Sequence, residues 1–365
     1  MLRLRTKTPI LYGLILAFVA GNAVWAASRN LPPCRQTTIA PPTAVGRTVV
    51  QRVCYRLPQV IPFRCRFRSE WRQWPSPRCL TEKPGACYRG SGESTSPSAP
   101  ANCDPQWLTS YECAVSKAER HHKMLLVYFC DGQANDTSCR FKSDTLDAPA
   151  VRERLRDYVC VQVPLNEKIV VRGEAVTVLE HEAFREMQGR PGIAIVDYRS
   201  QEEKLRGTVV SAFPITETLW YSPEQMSVIL NLPPGTLTQR TLIYAVRTHP
   251  ERPASTESEP LPTLLEEARS HAEYQANTHR QGHQFWDSRF QRIISRLPGG
   301  LSAREVCAES WPHQGIVEAA IECVRCWRTS SGHWSAVRSP NRFFGYDMKR
   351  GSNGVWYATG IVSQE

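Results

Sequence analysis

After residue 26 the chain lacks any apolar run long enough to cross a bilayer, which excludes a further membrane-spanning helix there. It also lacks a serine or cysteine nucleophile beside a His-plus-acid pair in a recognisable motif, which weighs against a protease. No Cys-x-x-Cys follows a strand-like segment. The pair Cys323 and Cys326 falls inside a helical pattern, where buried or paired structural cysteines are expected rather than a redox motif. Charge is only moderately one-sided, with 45 Lys and Arg against 35 Asp and Glu in 365 residues. Such an excess suits contact with anionic envelope polymers, and solubility accounts for it equally.

What is present begins at the N-terminus. Arg3, Arg5 and Lys7 precede an apolar run from Ile10 to Val24, and Val24-Trp25-Ala26 places small or aliphatic residues at a cleavage site. Residues 1–26 are therefore expected to be a cleavable signal peptide rather than an uncleaved anchor. Its removal would leave 42 cations against 35 anions, a net charge of about +7. Thirteen cysteines all follow residue 26, so export makes disulfides possible; their odd number leaves at least one thiol free or paired with another chain. The expected location is secreted, periplasmic or on the cell envelope.

Residues 27–105 are rich in Cys, Pro and Arg without periodicity and close on a Gly/Ser/Pro run, as a linker-like tail with local disulfide staples. Its arginines could form a nucleic-acid arm, but an exported chain seldom meets nucleic acid, and no such partner is expected. From Trp107 strands and helices alternate: a helix over 109–123, a strand from Met124 to Phe129, a helix near 149–157, a strand from Tyr158 to Val163, another from Ile193 to Asp197 and one near Gly207–Val210. Arg190-Pro191-Gly192 stands just before the third strand.

This order, a lysine before the first strand and the proline before the third resemble a thioredoxin-like domain over about 107–232. The resemblance implies that Pro191 faces the place of an active dithiol. There the chain offers Asp136-Thr137-Ser138-Cys139, with Asp at the nucleophilic position and Cys130 well upstream. A thiolate needs a helix N-terminus to lower its pKa and a partner to resolve the mixed disulfide. A redox-inactive scaffold is expected; the alternative is an exported thiol-disulfide protein using Cys139, alone or with Cys130, against Pro191.

Residues 233–261, with their prolines and Ser/Glu-rich end, read as an interdomain connection in which Leu242–Val246 packs on one domain. Leu264, Leu265, Ala268, Ala272 and Ala276 then step by three and four, predicting an amphipathic helix to about His279. A second helix carries Val317, Ala320, Ile321, Val324 and Trp327 on one face and stops over Thr329–His333. Two strands, Arg342–Met348 and Val355–Val362, close the chain around an Asn353-Gly354 turn.

The stretch 262–363 resembles the CAP (SCP/PR-1-like) family of extracellular domains. His283 and Arg289 match that family's first His and its Arg; Glu309, in Ala-Glu-Ser, matches the Glu of its Gly-Glu-Asn motif; Trp327 to His333 keeps the Trp-to-His spacing, with Ser331 in place of Pro. The expected fold class is thus α/β and α+β, a thioredoxin-like domain followed by a short α-β-α sandwich. The resemblance implies a cleft in which His283, Glu309 and His333 converge, able to relay protons or hold a divalent metal such as zinc. Ser330 occupies the place of the family's second Glu, and Glu322 is expected on the solvent face. His271, His279 and His313 are expected to be ordinary surface residues. The function expected is binding of a small-molecule, lipid or cell-wall ligand, with no certain cofactor and no complete enzyme motif; a disulfide-linked structural wall component is a further alternative.

Overall fold

The structure, a computed structural model, describes residues 105–131, 137–171 and 173–364, and the described residues lie within one compact unit. The signal-peptide and Cys/Pro/Arg-rich tail expectations, and Asp136, lie outside the described residues. Among the described residues the fold is a mixture of α and β with three sheets.

The elements run β1 (Trp107–Leu108), α1 (Tyr111–His121), β2 (Met124–Cys130), α2 (Thr137–Phe141), α3 (Pro149–Leu155), β3 (Tyr158–Pro164), β4 (Lys168–Val171), β5 (Glu174–Thr177), β6 (Gly192–Asp197) and β7 (Thr208–Pro214). The first sheet has the order β1-β3-β2-β6-β7, with β1, β3 and β2 parallel and β6 and β7 antiparallel. All seven residues of β2 are buried because both its faces are covered, which explains its unbroken apolar sequence. Leu126 and Tyr128 face one apolar cluster, Leu125, Val127 and Phe129 the other. The hairpin β4–β5 is separate and small.

The chain continues through α4 (Pro223–Leu230), α5 (Leu237–Arg247), β8 (Glu259–Pro260), α6 (Pro262–Thr278), α7 (Trp286–Ile294), β9 (Ser302–Glu309), α8 (Ile316–Thr329), α9 (Ser331–Arg338), β10 (Phe343–Arg350) and β11 (Trp356–Gln364). The second sheet is ordered β8-β10-β11-β9, so β9 is an edge strand. Leu264, Ala268 and Ile293 from α6 and α7 pack with Ala303 and Ile361. Val317, Ala320, Val324 and Trp327 of α8 pack with Val306, Ala308 and Ala358, residues of opposite parity and hence the opposite face. Layers of helix, sheet and helix result. Ile321, expected on the buried face of α8, is exposed. At Gly345 the backbone of α6 lies so close that a Cβ would come within 2.2 Å of the Leu264 carbonyl carbon, which is why β10 carries glycine beneath that helix.

Residues 233–261 correct one expectation. Instead of a connection they carry α5, buried from Gln239 to Val246 and capped by Thr236, whose hydroxyl accepts from Gln239 N while Gln239 Oε1 accepts from Thr236 N at 2.9 Å. Its residues tie both sheets together. Arg240 donates to Ser211 Oγ of β7 at 2.9 Å and to the Leu232 and Pro233 carbonyls, and burial lowers its pKa to about 10. Thr238 Oγ1 donates to the buried Asp347 carboxylate of β10 at 2.5 Å. One apolar cluster accordingly runs from Leu126 of the first sheet to Tyr346 of the second.

Candidate functional site

The edge position of β9 lets side chains from both layers meet. On one side α6 ends at His279 in a left-handed cap, and the turn over 280–285 brings the chain back to α7. That turn is fastened at successive residues. Gln275 Oε1 accepts from Gly282 N at 3.0 Å, the Gly282 carbonyl lies 2.8 Å from His271 Nε2, the His283 carbonyl accepts from Trp286 N, and Arg289 donates to the Gln284 carbonyl. Gly282 sits at φ +144°, open to glycine, and Phe285 at φ 59°, ψ 26°. The left-handed region costs a bulky residue about 1–2 kcal/mol.

His283 projects from this turn toward β9. Its Nδ1 is 3.0 Å from Glu305 Oε1, and Arg289 grips the same carboxylate with Nε at 3.1 Å and Nη2 at 2.6 Å and 2.7 Å from its two oxygens. The Glu305 side chain is only 1% exposed. Burial alone would raise its pKa, but the His283 hydrogen bond and the charges of His271 and Arg289 outweigh burial and hold it below the usual carboxylate value. An ionised Glu305 accepts only, so His283 donates to it through Nδ1, and its Nε2 is directed at His333. The His283 side chain is 30% exposed.

From the other layer comes His333. The second helix does not simply stop before it: α8 ends at Thr329, the chain bends at Ser330, and α9 begins at Ser331 with His333 in its first turn. His333 Nε2 lies 3.2 Å from His283 Nε2. Burial, with His283 and Arg304 nearby, lowers the His333 pKa to about 4 and keeps the ring neutral. The position in the first turn of a helix disfavours the cation as well.

Of the three expected residues the structure brings two together. Glu309 is the correction: it stands at the far end of β9 opposite Tyr357, four residues and about 13 Å of strand from Glu305, which takes its place beside His283. Glu305 and Glu309 share a parity, so alternation does not separate them; what does is Arg289, a buried cation that requires a buried anion. His271 is also corrected, being 2% exposed and hydrogen-bonded to Gly282 rather than at the surface. Glu322 is buried to 9% exposure and paired with Arg325 at 2.6 Å.

Two zinc-bound nitrogens at about 2.0–2.1 Å from a tetrahedral ion lie about 3.3 Å apart, and the 3.2 Å between the two Nε2 atoms matches that spacing. Glu305 then occupies the far nitrogen of His283, where a carboxylate orients a ligating imidazole. A second set, His271, Glu305 and Cys307, also places potential ligand atoms within 4.8 Å of one another. Its chemistry fits less well. Burial raises the Cys307 thiol well above its ordinary pKa, and both Glu305 oxygens are committed to Arg289.

Around the first sheet, Cys130 is a buried free thiol that accepts from Gln162 Nε2 at 3.2 Å, so no disulfide joins it to Cys139, which is exposed on α2. Pro191 stands before β6 with its carbonyl accepting from Ile215 N at 2.7 Å. Cys323 is a buried free thiol whose pKa burial raises.

No protein-family model matches this chain, and no curated protein does. Among the described residues no helix is long and apolar enough to cross a membrane.

Proposed function

We propose that this is a secreted or envelope-associated binding protein whose His283–His333 pair, backed by Glu305 and Arg289, engages a small ligand either directly or through a divalent cation such as zinc. The observation that carries the reading is the pair of imidazoles with Nε2 atoms 3.2 Å apart, one of them hydrogen-bonded through Nδ1 to a buried carboxylate. Surface histidines have no need of a buried Arg-carboxylate behind them. The helix-sheet-helix layering and the two histidines support the resemblance to the CAP family, with Glu305 rather than Glu309 as the carboxylate. The strand order β1-β3-β2-β6-β7 supports a thioredoxin-like scaffold, and the burial of Cys130 supports its redox inactivity.

Zinc titration by calorimetry on the full chain at pH 7 tests the reading. Wild type is expected to bind, and His283→Ala and His333→Ala each to lose most of that binding, while Glu309→Ala binds as wild type. Equal binding by wild type and the double histidine variant would remove the site.

A further inference from the structure

The turn that presents His283 also presents Phe285, a residue the binding reading leaves unused. The residue is 68% exposed, and among the described residues its ring meets that of Tyr274 edge-to-face at 5.6 Å. Burial therefore does not account for a phenylalanine there. Nor does backbone preference, because glycine takes the left-handed conformation freely whereas an aromatic residue resists it. The clamps at Gly282, His283 and Gln284 impose this conformation, so the ring is held outward by the same contacts that aim His283. The Cα atoms of His283 and Phe285, two residues apart in the chain, are separated by at most about 7 Å.

Charge completes the description of what would fit. Glu305 is already matched by Arg289. Arg304 lies near His333, its Nη2 donating to the Gly332 carbonyl at 2.8 Å, and adds a cation beside that histidine. We propose that Phe285 is the stacking platform of a ligand subsite, so that the site takes a small molecule with a flat apolar ring on Phe285 and an anionic head toward His283, His333 and Arg304. This deepens the binding reading above and rests on it for the head group; the ring subsite stands on Phe285 alone.

The probe is 1-anilinonaphthalene-8-sulfonate, an aryl anion, titrated by fluorescence into the full chain without metal. Saturable binding is expected, weakened about ten-fold by Phe285→Ala and Phe285→Gly and unchanged by Val170→Ala, a control at another exposed apolar residue. Phe285→Gly is expected to leave the urea midpoint unchanged or raise it. Absence of saturable binding, equal affinity in Phe285→Ala, or a fall in the midpoint of Phe285→Gly would each overturn the proposal. Zinc binding by Phe285→Ala is expected at the wild-type level. Failure of zinc to bind wild type, with dye binding still dependent on Phe285, would remove the metal and keep the subsite; dye binding independent of Phe285, with zinc bound, would do the reverse.

Discussion

Replacing Arg289 by Met keeps its volume but leaves the Glu305 carboxylate buried without its cation. The pair is almost dry, with side-chain exposures of 7% and 1%, so solvent cannot compensate. Breaking such a pair from one side costs about 3–5 kcal/mol, a large part of the roughly 5–15 kcal/mol by which a fold is stable. Glu305→Gln strands the guanidinium instead and is expected to cost about as much. The double variant removes both charges, leaves the introduced amide oxygen able to accept from His283, and is expected to cost no more than about 4 kcal/mol. The singles and the double thus differ from additivity by at least about 2 kcal/mol. Urea unfolding followed by tryptophan fluorescence, with ten Trp in the chain, reads this directly. With a slope of about 2–3 kcal/mol per molar urea each single variant should lower the midpoint by about 1.5 M. Additive single effects, or a midpoint for Arg289→Met within about 0.3 M of wild type, would refute the buried-pair argument.

Two further outcomes follow from the same geometry, and a third from the first sheet. His333 titrates near 4 when folded against 6.5 unfolded, so the unfolded chain takes the proton first; stability is full above pH 6.5, falls as pH drops toward 4 and levels below it. For a ring in partial contact with water that loss is about 2 kcal/mol, and His333→Gln should flatten the pH 4–6.5 limb measured with chelator present. Glu305, held below its ordinary value, contributes stability above the unfolded pKa that is lost at lower pH still, a limb that Glu305→Gln should abolish. The first sheet should show no insulin reductase turnover beyond background, with Cys139→Ser unchanged, because Cys130 is buried and no disulfide joins it to Cys139.

Much of the scaffold is legible in the sequence where one physical signal dominates. β2 and β3 are short apolar runs, and α6 and α8 carry clear three-four spacing, so these elements lie where periodicity puts them. α5 is hidden because its flanking prolines suggest a connection, although Thr236 and Gln239 form a capping box visible in the sequence. β9 is hidden because Arg304 and Glu305 interrupt its apolar pattern. The meeting of His283 with His333 is an expectation of the family resemblance, which no spacing in the sequence shows by itself. Glu305 is not, since only the tertiary fold shows which of two carboxylates on one strand faces the buried arginine.

The most direct test of the histidine site is anomalous diffraction at the zinc edge from crystals of the full chain soaked in zinc. The account predicts one peak about 2.0–2.1 Å from both His283 Nε2 and His333 Nε2, with Glu305 still on His283 Nδ1 and on Arg289. A peak seated among His271, Glu305 and Cys307, or none near His283 at zinc concentrations that saturate the calorimetric titration, would contradict it.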